Sequence, residues 1–81
     1  MTDVKKEMKE RARLTRCLVN ALGHDADYIY NDVESYDLIC MAESIQETKD
    51  TLQKLIDNIM ELEYLLYLLK NEDSRNLQPP L

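Results

Sequence analysis

The sequence predicts an all-α fold, a helical hairpin whose long second helix associates further into a helical bundle or coiled coil. Three observations carry that expectation. The chain has one Gly, two Pro, no Trp and no Phe but many Leu, Ile, Glu, Asp and Lys residues, a balance that favours helices over strands and turns. Apolar residues recur at three- and four-residue steps along most of it, as one stripe of a 3.6-residue period does. From Leu38 to Lys70 the stripe becomes a heptad, with Leu38, Ile45, Leu52, Ile59 and Leu66 at a and Met41, Thr48, Leu55, Leu62 and Leu69 at d. Only Thr48 among these ten is polar, the pattern of a helix that packs on another helix.

The first helix is expected over about 3–22, where Val4, Met8, Ala12, Leu18, Val19 and Leu22 line one face and Lys, Arg and Glu fill the other. Gly23, the single glycine, is expected to end it in the left-handed conformation that glycine adopts without a Cβ clash. A turn over about 23–27 follows, with Asp25 or Asp27 placed to cap the next helix. Residues 27–37, DYIYNDVESYD, alternate Tyr and β-branched residues with Asn and Asp. A strand there has no second strand to pair with, so the segment is read as the start of the long helix, about 28–70, with an irregularity allowed near 31–37. Neither Pro nor Gly interrupts the 33 residues from Leu38 to Lys70, which make a rod of about 50 Å. The whole of 1–70 is read as a single helical domain. Residues 71–81, NEDSRNLQPPL, are read as a flexible tail, because Pro79 and Pro80 cannot continue a helix.

A chain of 81 residues buries a modest share of its surface, and help from a disulfide, a metal or a second chain is expected. The two cysteines, Cys17 and Cys40, are too few for a disulfide framework and stand apart from His or Cys at metal-ligand spacing. With the turn near Asp25, Cys17 faces the level of Val33 and Cys40 lies about 10 Å further along, beyond the reach of a disulfide. Two free, buried thiols are expected, since an unbridged Cys is usually core, and a second chain supplies the missing burial. A first helix folded back from Gly23 reaches only to about Lys49, leaving Ile59–Leu69 uncovered at ~1.5–3 kcal/mol for each large side chain left in water. The candidate protein interface is therefore Leu52, Leu55, Ile56, Ile59, Met60, Leu62, Tyr64, Leu65, Leu66, Tyr67 and Leu69.

Charge is divided along the chain. Residues 1–22 carry a net +3 and residues 23–81 a net −9, within a total of −6, so the two parts should attract each other or the opposite part of a second copy. Lys5, Lys6, Lys9, Arg11, Arg13 and Arg16 are candidate contacts for a phosphate or an acidic partner. Nucleic acid is disfavoured by Glu7 and Glu10 within that stretch, by the acidic remainder, and by the lack of an aromatic residue before Tyr28 on which a base could stack.

Catalytic and ligand chemistry finds no foothold. An EF-hand read across Asp25, Asp27, Asp32, Glu34 and Asp37 would need an oxygen ligand where Ile29 stands and a glycine where Tyr30 stands. His24 is the only histidine and has no Ser or Cys partner near it. One glycine cannot form a phosphate-binding loop. No enzyme activity, metal, cofactor or small-molecule substrate is expected. A YxxI segment, Tyr36 to Ile39, opens the heptad and is read as packing rather than as a sorting signal. With no long apolar run and with charge from Asp3 onward, neither a membrane span nor a signal peptide is expected, and an intracellular location is.

In size, acidity and hairpin architecture the chain resembles the small helical chaperones of type III secretion needle subunits and the short coiled-coil subunits of kinetochore ring assemblies. The likeness is one of architecture. The expected function is a non-enzymatic protein–protein interaction module that associates through the apolar face of the long helix, as a homo-oligomer or as a small subunit of a larger assembly with a helical partner. The alternatives are a small helical inhibitor or chaperone, viral or bacterial, that occupies a groove on a target, and a nucleic-acid binder using the basic first helix.

Overall fold

The structure, a computed structural model, describes residues 3–77, with side chains described to Asn71. It is a helical hairpin, all-α as expected, built of α1 (Val4–Ser35, 32 residues) and α2 (Leu38–Leu77, 40 residues). The two lie side by side in a rod of 69 × 18 × 18 Å.

α1 begins at Asp3, whose carboxylate accepts from the Lys5 and Lys6 amides at 3.1 and 3.3 Å, satisfying two of the donors that every helix start leaves open. It then runs straight through Gly23, which has ordinary negative φ. The turn expected at 23–27 is instead at Tyr36 and Asp37. A glycine inside a helix costs about 0.5–1 kcal/mol relative to alanine, and the side chains that face α2 continue past it without a break. Those side chains are Val4, Met8, Arg11, Thr15, Leu18, Leu22, Asp25, Ile29 and Asp32, all half-buried and spaced alternately by four and three. Gly23 falls outside this stripe.

The turn uses Tyr36 where a glycine is usual. Tyr36 sits at φ 57°, ψ 36°, its amide donates to the Val33 carbonyl at 3.2 Å, and the Asp37 amide donates to the Asp32 carbonyl at 3.1 Å. This pair of bonds closes the last carbonyls of α1. Asp37 then caps α2, its carboxylate accepting from the Cys40 amide at 3.1 Å. The irregularity allowed near 31–37 coincides with this turn.

Because the turn lies at 36–37, residues of α1 and α2 stand level when their numbers add to about 73. α1 therefore covers α2 to about Leu69, not merely to Lys49. The α2 side of the seam is Met41, Ser44, Thr48, Thr51, Leu55, Asn58, Leu62, Leu65 and Leu69, each half-buried or buried. These are the expected d positions together with the g positions. The a positions, expected in the seam, flank it instead and are partly exposed. The selection follows from α1, which brings Arg11, Asp25 and Asp32 to the interface. These groups would lose hydration without recompense against a column of Leu and Ile. On the g column they meet partners: Ser44 Oγ donates to Asp32 Oδ2 at 2.5 Å and Thr51 Oγ1 to Asp25 Oδ2 at 2.8 Å. Asn58 Nδ2 donates to the Arg11 carbonyl at 2.9 Å and to Thr15 Oγ1 at 2.8 Å.

α2 remains helical to Leu77, so the first seven residues of the expected tail extend the helix. Residues 78–81 lie outside the described residues. Cys17 and Cys40 are free, as expected, but both are exposed rather than buried, because neither falls on the stripe that faces the other helix, and the register that sets them apart differs. With the turn at 36–37, Cys40 stands level with Val33 and Cys17 with Ile56.

Candidate functional site

Two helices packed along a single line of contact bury little. Among the described residues only Leu65 and Asn58, each 3% exposed, are buried. The expected interface residues divide into two sets. Leu55, Leu62, Leu65 and Leu69 lie in the seam against α1, with Leu65 buried and the others half-buried. Leu52, Ile56, Ile59, Met60, Tyr64, Leu66 and Tyr67 are exposed. The first set holds the hairpin together, and the second faces outward.

The outward set belongs to a longer feature. Leu38, Ile45, Leu52, Ile59 and Leu66 form one column every seven residues along α2; Leu38 is 64% exposed and the other four are 39–44% exposed. The helical period places this column directly beside the seam. The corresponding flank of α1 carries Ala12, Val19, Ala26 and Val33, all exposed. These two flanks lie on the same side of the hairpin. A groove lined by Arg11, Leu14, Leu18, Lys54, Asp57, Asn58 and Glu61 joins Leu14 to Lys54 and Glu61 on one side, so the residues flanking the seam in the other direction share the opposite side. One broad face of the hairpin is thus aliphatic for five α2 levels and four α1 levels, whereas the other mixes Glu7, Glu47, Lys54 and Glu61 with Leu14, Ala21 and Tyr28.

The basic residues also divide. Arg11 enters the seam, where its guanidinium donates to Asn58 Oδ1 at 3.3 Å. Lys5, Lys6, Lys9, Arg13 and Arg16 are exposed. A shallow groove at the open end is lined by Asp3, Lys5, Lys6, Met8, Lys9, Ala12 and Leu62. At the other end of the rod, residues 21–52 carry eight carboxylates against Lys49 alone, a net −7. The hairpin is a dipolar rod, basic beside its open end and acidic at its turn.

No protein family, curated protein or solved structure matches this chain. Among the described residues no three His, Cys, Asp or Glu side chains are grouped to hold a metal ion, and no helix is long and apolar enough to cross a membrane.

The turn contains one perturbed ionisable pair. The Cys40 amide holds the Asp37 carboxyl below the usual carboxylate range, because a hydrogen bond to the charged form favours that form. Hydrogen bonding to Asp37, and its negative charge, push the Cys40 thiol up. An exposed thiol kept protonated is a poor nucleophile, so the pair serves as a helix cap.

The aliphatic column on α1, Ala12, Val19, Ala26 and Val33, was not among the expected interface residues. Its signal was available, since the four recur every seven residues. The interruption expected at Gly23 divided them between two elements.

Proposed function

We propose that this chain is a non-enzymatic protein–protein interaction module that associates through the apolar face centred on α2, as a homo-oligomer or a small subunit of a larger assembly. The observation that supports this reading is the column Leu38, Ile45, Leu52, Ile59 and Leu66, exposed on a hairpin whose own seam already holds Leu55, Leu62, Leu65 and Leu69. An aliphatic face of this length exceeds the isolated apolar residues normal on a monomer's surface. With Val19 and Val33 beside it, it has the composition of a bundle interior. The exposed Met60, Tyr64 and Tyr67 extend the apolar surface around the open end of α2.

The test is the double variant Ile59→Asp, Leu66→Asp, with mass read by sedimentation and helicity by circular dichroism. Both residues flank the α1–α2 seam at 40% and 42% exposure and the hydrogen-bonded rungs of the seam are left intact, so the variant hairpin should retain most of its helicity. Charges in the shared interface should release its partner. A wild-type chain that remains a monomer and binds no apolar dye would overturn the reading.

A further inference from the structure

The apolar face and the dipolar charge distribution together specify what covers that face. Resting on the interaction reading above, we infer that the occupant is a second copy of this chain, packed face to face with its turn at the opposite end, forming a four-helix bundle on a two-fold axis through Leu52.

Area comes first. From Leu38 to Leu66 the column runs about 42 Å, and the rod is 18 Å wide. The footprint is roughly 750 Å², close to the ~800 Å² per partner of a stable interface. The column is also symmetric about its centre. The column reads Leu, Ile, Leu, Ile, Leu about Leu52. A two-fold axis there sets Leu38 on the other copy's Leu66 and Ile45 on its Ile59, with every level filled, as a self-complementary interface requires. The α1 columns of Ala and Val then run along each other, offset by about three residues.

Charge decides the orientation. The turn half of the rod, residues 21–52, is −7, whereas the open half, residues 3–20 with 53–71, is +2. With the turns together, two −7 regions would lie side by side within about a Debye length. With the turns opposed, each acidic region lies beside Lys5, Lys6, Lys9, Arg13 and Arg16 of the other copy, all exposed in the single hairpin. Like-charge juxtaposition of this kind selects against the wrong arrangement.

The experiment uses the full chain with Cys17→Ser and a nitroxide on the exposed Cys40. Cys40 is twelve residues from Leu52, so opposed turns separate the two labels by at least ~36 Å along the axis, and turns together leave them level and within about 30 Å. Sedimentation should give a dimer, electron–electron double resonance the long distance, and added salt a several-fold weaker association. A dimer with the short distance, or one that salt tightens, overturns the arrangement while the interaction reading stands. A stoichiometry other than two, or a monomer whose face binds apolar dye, overturns the second copy as occupant and also leaves that reading standing. A monomer that binds no dye overturns both.

Discussion

Tyr36 occupies the backbone conformation that glycine is built for, and Gly23 occupies one that alanine prefers. A non-glycine residue in the left-handed region carries a steric penalty, and Tyr36, 79% exposed, gains little packing to offset it. Tyr36→Gly should therefore stabilise the hairpin by about 1 kcal/mol, measured by urea denaturation. At Gly23 an added Cβ meets nothing within 4 Å, so Gly23→Ala should add about 1 kcal/mol and raise Tm by about 4–8 °C. A fall in Tm instead would place a left-handed residue at 23 and the turn with it. Asp37 and Cys40 give a pH signature. Asp37 has a lowered folded-state pKa, so its contribution is present above the ordinary carboxylate range and is lost as pH falls through the lowered value. Cys40 has a raised one, so its alkylation should begin at higher pH than for a free thiol. Asp37→Asn should shift the alkylation profile to lower pH and flatten the acid limb of stability.

Each element is individually ill suited to stand alone. α1 sets Lys5 and Lys6 against Asp3 and Glu7 at its start and has no basic residue in its last turn, so its ends gain little from the helix dipole. A peptide of residues 3–36 should therefore be poorly helical by circular dichroism until α2 is supplied. The seam is held to a single register by its polar rungs rather than by volume. Asn58, 3% exposed, bonds to both Arg11 and Thr15, and a slide by one heptad would leave it facing aliphatic side chains. Asn58→Ala should cost about 1–3 kcal/mol in urea denaturation. Asn58→Leu should relax the register, visible as loss of slow amide exchange in the open half, the way buried polar residues set register in paired helices.

For the molecule as a whole, the hairpin's stability is bound up with whatever covers its apolar face. If that cover is a second copy, Tm rises with protein concentration, since mass action favours the associated state. A Tm independent of concentration across the dissociation range would contradict association as a source of stability. The segment beyond Lys70 plays a different part. Asp3, the first described residue of the other arm, stands level with Lys70, so no described part of α1 lies opposite 71–77. Truncation after Lys70 should leave the hairpin's Tm unchanged, and a clear drop would assign those residues a place in the packing.

The all-helical class, the packing role of the d positions Leu55, Leu62 and Leu69 and the apolar excess of the second helix were legible in the sequence, because each follows from composition or from period alone. The location of the turn was not. The strongest local signal, a lone glycine after an apolar run, pointed to residue 23, whereas the chain turns at Tyr36, which has no intrinsic preference for the left-handed region. Nor could period alone choose between the two stripes of α2. The a and d columns are the more apolar pair, yet α1 packs on d and g because Arg11, Asp25 and Asp32 need the polar partners that Asn58, Thr51 and Ser44 provide. Only the tertiary structure decides such pairings, since a hydrogen bond between residues 26 or 47 positions apart is a property of two segments together and is written in neither. The column left outside, Leu38 to Leu66, is the consequence of that choice, and it forms the face from which the function is read.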